Sequence, residues 1–223
     1  MKRTATLLGA TGLIGGHLLE ILKKESFYDE VRVISRRPLE IDHPKVKVVV
    51  IDFNDELQFK AAMEGSDLVF CAIGTTQKKV KGDKKLYRSI DFDIPINAAK
   101  HSIKYGCKQF LIVSSLGADS SKRGFYLKLK GEVEEALIAK MHPTVGFHSL
   151  SIFRPSLLLG DRKEKRLAED IGQFFGKVLK FLMPGKSKPI EGENVAKAMV
   201  AAAKLNKKGV EIYHYKEMKE LVG

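Results

Sequence analysis

The sequence predicts an α/β fold: a doubly wound parallel sheet with helices on both faces and a small C-terminal lobe on the substrate side. Three observations support this prediction. The chain has 223 residues, enough for one α/β domain with a substantial core. Short apolar runs alternate with segments of helical periodicity, and a glycine-rich turn follows the first run. We therefore expect a single domain over residues 1–223, in which residues 155–223 form the lobe.

Predicted strands and helices alternate along most of the chain. The strands are apolar runs at residues 4–8, 31–34, 46–51, 68–73, 109–113 and 149–153. The helices have apolar residues at helical spacing, at residues 14–24, 57–63, 86–105, 126–140, 167–183 and 194–205, before a short strand and a terminal helix. The link from residue 37 to 46 is too short for a full helix, so this crossover is expected to be irregular. Ligands of such sheets bind at the carboxyl ends of the strands, where the strand order reverses.

A glycine-rich turn joins the first strand to the first helix, with the sequence GATGLIGG from Gly9 to Gly16. Glycine permits the tight turn, lets the backbone approach a pyrophosphate and allows close packing of helix on strand. The first N–H groups of the helix then point towards the phosphates, and the helix dipole favours their charge. This position predicts a dinucleotide site, and the alternative is a glycine-rich turn without a ligand. The residues expected to contact the dinucleotide here are Gly9, Thr11, Gly12, Leu13, Ile14 and Gly15.

The end of the second predicted strand favours NADP(H) over NAD(H). The sequence there is Ser35-Arg36-Arg37, whereas an NAD-binding strand usually ends in a carboxylate that binds the ribose. Guanidinium groups and a hydroxyl suit a 2′-phosphate, since arginine offers forked charged donors; a solvated basic loop is the alternative. Asp52 is placed to meet the adenine amino group, but Asp52 or Asn54 could instead cap the next helix.

Catalytic residues are expected after the fifth strand. This strand ends in Ser114-Ser115, and Tyr126 and Lys130 follow four residues apart, so both lie on one face of a helix. A lysine ammonium beside a phenol favours the phenolate, and such a tyrosine can exchange a proton with a carbonyl–alcohol pair while hydride moves to or from nicotinamide. A serine at the strand end can hydrogen-bond the same substrate oxygen. The plainer alternative is that Tyr126 packs at the helix start and Lys130 lies on the surface.

Charge and cysteine content narrow the range of partners and locations. The net charge of +12 indicates attraction to anionic ligands, including a dinucleotide phosphate. Basic clusters such as residues 78–81 and 162–166 carry no interleaved aromatic residues, so specific nucleic-acid binding is not expected. Cys71 and Cys107 indicate reduced thiols of a cytoplasmic protein. No signal peptide, membrane span or metal site is expected from the sequence.

Four segments besides the glycine-rich turn carry a family resemblance: CAIGTT at residues 71–76, VSSLGAD at 113–119, YLKLKGEVE at 126–134 and FRPSLLLGDR at 153–162. Together they resemble the short-chain dehydrogenase/reductase superfamily, and within it the atypical, Tat-interactive-protein-like branch of NAD(P)H-binding oxidoreductases. The similarity runs from about residue 2 to residue 205. It implies a Rossmann-type core, NADPH binding and a catalytic triad of Ser115, Tyr126 and Lys130, with Ser114 as the alternative serine. Further cofactor contacts are expected at Phe53, Ala72, Ile73, Gly74, Thr75, Tyr126, Lys130, Arg154 and Pro155.

The resemblance leaves two functions open. Many members of the superfamily have an asparagine on the central helix as a fourth catalytic residue; Asp91 occupies that place, and Asn97 is expected to face elsewhere. The leading hypothesis is an NADPH-dependent oxidoreductase that transfers hydride to a small carbonyl substrate of unknown identity. The alternative is a non-catalytic NADPH-binding regulator that acts through protein partners. A monomer or a homodimer is expected.

Overall fold

The computed structural model describes residues 3–159 and 188–223. The predicted helix 167–183, with Phe174 and Phe175, and the basic cluster 162–166 lie outside the described residues. The described strands are β1 (Thr4–Leu8), β2 (Glu30–Ser35), β3 (Val46–Val50), β4 (Leu68–Cys71), β5 (Gln109–Val113), β6 (Ser149–Phe153), β7 (Leu158–Leu159), β8 (Ile190–Glu191) and β9 (Gly209–Tyr213). The described helices are α1 (Leu13–Lys24), α2 (Glu56–Met63), α3 (Lys84–Arg88), α4 (Ile94–Lys104), α5 (Phe125–Ile138), α6 (Gly192–Leu205) and α7 (Tyr215–Val222), with a π-helical turn at Ser89–Asp93.

The main sheet confirms the predicted fold class. Its strands run in the order β3-β2-β1-β4-β5-β6-β9, and every neighbouring pair is parallel. In the register, Leu8 of β1 pairs with Ile34 of β2 on one side and with Cys71 of β4 on the other. The strand order reverses between β1 and β4, so the loops that follow these two strands open a crevice at the carboxyl edge of the sheet.

Alternation along the buried strands divides the core into two layers. Leu7 of β1 and Phe70 of β4 pack on the layer that includes α1 and α6. Leu8 and Val69, one residue along each strand, pack on the opposite layer with α2, α4 and α5. Both faces of the sheet are therefore covered, as the nearly continuous apolar strands require.

The predicted helix 86–105 differs from the structure, which divides it into α3, the π-helical turn and α4. Pro95 lies in the first turn of α4 and has no N–H, so it cannot donate the α-helical hydrogen bond to the carbonyl of Asp91. The chain widens instead, and the N–H of Ile94 bonds to the carbonyl of Ser89, five residues earlier. Such turns often occur at functional sites. Here the wide turn carries Asp91, which is buried.

The described residues beyond β6 form a second, smaller sheet and two further helices. β7 and β8 form a two-stranded parallel sheet outside the main one. α6 packs on α1, and the side chain of Leu13 lies against Gly192 at the start of α6. The C-terminal part of the chain is thus anchored beside the glycine-rich turn.

Candidate functional site

The glycine-rich turn has one glycine for each of three physical requirements. Gly9 has a φ of +91°, and a Cβ there would lie 2.6 Å from the carbonyl of Ala72. A Cβ on Gly15 would lie 2.0 Å from the carbonyl oxygen of Gly9, so helix α1 could not pack on the turn. At Gly12 the nearest atom would be 3.4 Å away, an ordinary contact. Gly12 is therefore the position beside which a ligand has room. Gly9 and Gly15 must be glycine because a side chain there would clash with the backbone.

An open cavity of about 660 Å³ extends from this turn along the carboxyl edge of the sheet. Its lining includes eleven of the predicted cofactor residues: Gly9, Thr11, Gly12, Ser35, Arg36, Asp52, Phe53, Ala72, Ile73, Gly74 and Thr75. Predicted residues outside its lining are Leu13, Ile14, Gly15, Arg37, Tyr126, Lys130, Arg154 and Pro155. The residues present fit a dinucleotide, because a helix start without a side-chain cap faces a space that a Cβ on Gly12 would enter.

The helical wall of the cavity contains residues that the sequence did not predict. Asn97, Lys100 and His101 of α4 line it, at a spacing of three and four residues that places them on one helical face. Asn97 therefore faces the cavity. His101 is buried against Phe59, with 5.6 Å between ring centroids. Burial, followed by the charge of Lys100, lowers the pKa of His101, so this wall presents a neutral imidazole at neutral pH.

The rim near β2 and β3 is polar. Arg36 is exposed and lines the cavity, and the Ser35 hydroxyl accepts a hydrogen bond of 3.3 Å from the N–H of Arg37. Asp52 lines the cavity and accepts hydrogen bonds from Asn54. The alternative that Asp52 or Asn54 caps helix α2 is wrong.

Helix α2 is capped instead by Asp55. Its carboxylate accepts hydrogen bonds from the N–H groups of Leu57, at 2.9 Å, and Gln58, at 3.0 Å. These are two of the donors that a helix start leaves without partners inside the helix. Asp52, one turn earlier, keeps its place on the cavity wall.

A buried ion pair lies behind the loop that follows β4. The Nζ of Lys130 is 2.9 Å from Oδ2 of Asp91, and the two residues are 6% and 1% exposed. Burial by itself lowers the pKa of Lys130, but the Asp91 carboxylate and then the Tyr126 phenol oppose it, and the net pKa is raised above the usual value. Lys130 is therefore an ammonium at neutral pH. The alternative that it is a surface residue is wrong.

Tyr126 lies one helical turn before Lys130 on α5. The Lys130 ammonium is 5.9 Å from the centroid of the Tyr126 ring, which is half-buried. The ring also meets Tyr87 edge-on at 6.5 Å. The predicted pair is thus close together, with the ammonium over the face of the phenol ring.

The two serines after β5 have different surroundings. The Ser114 hydroxyl donates to the buried carboxylate of Glu134, which also forms an ion pair with Arg154. Ser115 is buried, and its hydroxyl makes a long hydrogen bond of 3.4 Å to the carbonyl of Leu116. Ser114 and Arg154 are therefore both bound to Glu134. The hydroxyl of Ser115 has the long hydrogen bond to Leu116, so it is held more weakly.

Comparison with known proteins identifies the family. The family described as NAD(P)H-binding matches residues 9–144. Protein HTATIP2 of Rattus norvegicus is 34% identical over 193 residues, which cover 85% of this chain and 77% of the relative. The mitochondrial protein FMP52 of Candida glabrata is 36% identical over 209 residues, covering 91% of this chain and 85% of the relative.

Solved structures share the fold at low sequence identity. A short-chain dehydrogenase/reductase superfamily protein from Agrobacterium tumefaciens with bound NAD has a TM-score of 0.71 and 12% identity, covering 99% of this chain and 81% of that one. UDP-glucose 4-epimerase from Thermotoga maritima, with UDP-glucose, has a TM-score of 0.70 and 17% identity, covering 99% and 82%. This chain therefore belongs to the NAD(P)H-binding family of the HTATIP2 and FMP52 proteins.

Proposed function

We propose that this protein is an NADP(H)-dependent oxidoreductase that transfers hydride between the nicotinamide and a small carbonyl or alcohol substrate. The observation that carries the proposal is the pair formed by Tyr126 and the buried ammonium of Lys130. It lies on α5, close to the loop of Gly74 and Thr75, which lines the dinucleotide cavity. A phenol beside a fixed positive charge is a suitable proton donor for a carbonyl oxygen.

The residues have distinct roles in this proposal. The hydride that the carbonyl carbon gains would come from NADPH held in the cavity, which would be oxidised to NADP⁺. Tyr126 donates its phenolic proton to the carbonyl oxygen, so the product is an alcohol. Lys130 stabilises the phenolate that remains, and Ser115 donates a hydrogen bond to the same substrate oxygen. Proton uptake from solvent then restores the phenol.

The preference for NADP(H) rests on the rim after β2. Arg36 lines the cavity and is exposed, and Ser35 lies beside it. A guanidinium at this point forms charge-assisted hydrogen bonds to the 2′-phosphate of NADP(H). The neutral 2′-hydroxyl of NAD(H) offers it no negative charge. Arg37 lies outside the lining and contributes to the charge around the rim.

Turnover measurements test the proposal. NADPH oxidation is followed against a panel of aldehydes, ketones and quinones, for the wild type and for Tyr126→Phe. The variant keeps the ring and its contact with Tyr87 but loses the proton, so turnover should fall by roughly 10²–10⁴ while NADPH affinity barely changes. Turnover that survives Tyr126→Phe would remove Tyr126 from the mechanism.

A non-catalytic NADPH-binding regulator is the second candidate, and the ion pair of Lys130 with Asp91 favours it. A carboxylate at this distance offsets part of the positive charge that would otherwise stabilise the phenolate of Tyr126. Tight NADPH binding without turnover of any panel member would support the regulator and reject the oxidoreductase.

Location, domain structure and partners are also proposals. We keep a single domain over residues 1–223 and a cytoplasmic location as predictions, although the FMP52 relatives are named mitochondrial. No helix within residues 3–159 and 188–223 is long and apolar enough to cross a membrane. Cell fractionation tests the location, and sedimentation tests whether the chain is a monomer or a homodimer.

A further inference from the structure

A single carboxylate connects the cavity loop to helix α5. Oδ1 of Asp91 accepts a hydrogen bond of 2.7 Å from the N–H of Thr75, and Oδ2 lies 2.9 Å from Nζ of Lys130. Thr75 lines the dinucleotide cavity, and Lys130 lies on the helix that carries Tyr126. The carboxylate is 1% exposed, so water does not compete for either contact.

The segment that carries Asp91, residues 84–93, also binds the carbonyl of Thr75. The Tyr87 hydroxyl donates a hydrogen bond of 2.9 Å to the Thr75 carbonyl. Burial, and then the charge of Asp91, raises the pKa of Tyr87 above its usual value, so this phenol stays protonated and remains a donor. The N–H and the C=O of one cavity-lining residue are therefore both fixed by side chains of residues 84–93.

We propose that Asp91 is a positioning residue that clamps the Thr75 loop and the Lys130 ammonium into one rigid unit beside the cavity. The clamp itself stands on the two contacts of Asp91. Its consequence for the cofactor rests on the function proposed above. Asp91 does not line the cavity, and it acts through Lys130 and through the loop.

The negative charge of Asp91 is essential to this role. An asparagine could accept the Thr75 N–H, but it would not compensate the buried ammonium of Lys130. The ionisable groups that face Lys130 are Asp91 from the π-helical turn, Tyr126 from its own helix and Cys71 from β4. Burial raises the pKa of Cys71 to about 11, so this thiol stays neutral near neutral pH, and Asp91 is the carboxylate that faces the ammonium.

The first arm of the test needs no cofactor. Amide hydrogen exchange at Thr75 is compared in the wild type and in the double variant Asp91→Leu/Lys130→Met, which removes the acceptor and both buried charges together so that the chain can still fold. Exchange at Thr75 should become at least tenfold faster. The matched control is Glu132→Gln, which breaks an ion pair with Arg88 at the surface of the same helix and should leave Thr75 unchanged. Equal exchange in the wild type and the double variant would overturn the clamp.

The second arm separates a charge effect from a merely structural one. The Kd for NADPH is measured at pH 7 and pH 9 for the wild type, Asp91→Asn and Glu132→Gln. In Asp91→Asn the burial of Lys130 is no longer opposed by a carboxylate, so its pKa falls and the ammonium is lost as the pH rises. The Kd should then increase at least fivefold more between the two pH values than it does in the wild type.

The outcomes of the two arms are distinguishable. Parallel pH dependence in Asp91→Asn and the wild type would overturn the role of the charge. If the wild type did not bind NADPH, the proposed function would fail, and the exchange at Thr75 would still decide the clamp.

Discussion

The same substitution should have different consequences at Gly12 and Gly15, although both belong to one glycine-rich turn. A methyl group on Gly12 would meet its nearest neighbour at 3.4 Å, whereas on Gly15 it would lie 2.0 Å from the carbonyl oxygen of Gly9. Gly12 also has a φ of −86° and a ψ of 172°, which alanine adopts without strain. Gly12→Ala should therefore weaken binding of the dinucleotide, and Gly15→Ala should lower the stability of the fold.

The magnitudes follow from these contacts. At Gly12, alanine replaces glycine as the N-cap of α1, which costs under about 1 kcal/mol of stability. The added methyl enters the space where the phosphates approach the first N–H groups of α1. Losing two charge-assisted hydrogen bonds there costs about 3 kcal/mol, or more than a hundredfold in Kd. At Gly15, overpacking against a backbone carbonyl costs about 3 kcal/mol of unfolding free energy, or roughly 6 °C or more in Tm.

The assay combines urea unfolding with isothermal titration of NADPH for the wild type and both variants. Gly12→Ala should unfold near the wild-type urea midpoint and bind NADPH at least a hundredfold more weakly. Gly15→Ala should unfold at a clearly lower urea concentration. Wild-type affinity in Gly12→Ala, or equal loss of stability in the two variants, would refute the inference that the phosphates approach the backbone at Gly12.

Three further results are expected. Arg36→Asp should weaken NADPH binding at least tenfold, about 1.4 kcal/mol, with a much smaller change for NADH, and titration of both cofactors checks this; equal losses would mean that Arg36 does not read the 2′-phosphate. Asp55→Ala should lower the unfolding free energy, and with it the urea midpoint, through loss of the α2 cap and leave NADPH affinity unchanged, while Asp52→Ala should weaken NADPH binding with little change in stability. Because the pKa of Lys130 is raised on folding, the stability that it contributes is fully present below its unfolded pKa of about 10.4 and is lost as the pH rises through the higher folded value. The difference in unfolding free energy between the wild type and Asp91→Leu/Lys130→Met should therefore stay constant from pH 7 to 9, and a decline within that range would contradict the direction of the shift.

Local patterns were sufficient to predict the fold and part of the site. The alternation of apolar runs and helical segments predicted the parallel sheet, because the central strands are buried on both faces. The glycine spacing predicted a dinucleotide site at the first turn, where a cavity begins, and the four-residue spacing of Tyr126 and Lys130 predicted that they lie together. These predictions depend on contacts within a few residues of the chain, which the sequence pattern displays directly.

Contacts between distant segments were harder to predict. The pairing of Asp91 with Lys130 joins residues 39 positions apart, and it depends on the wide π-helical turn that Pro95 requires. A regular helix over residues 86–105 would place the carboxylate differently. The spacing of Asn97, Lys100 and His101 was visible in the sequence, but only the packing of α4 against the sheet shows that this face lines the cavity.

The loop after β4 is held from both sides of the crevice, so the glycine-rich turn and the Asp91–Lys130 pair act on the same segment. On one side, the missing side chain of Gly9 lets the first turn approach the carbonyl of Ala72. On the other, Asp91 and Tyr87 bind the backbone N–H and C=O of Thr75, three residues later. A loop constrained in this way loses little conformational entropy when a dinucleotide binds, so binding energy is not spent on ordering it. A change at either Gly9 or Asp91 would act on the same short segment, and we therefore expect their effects on cofactor affinity to be non-additive.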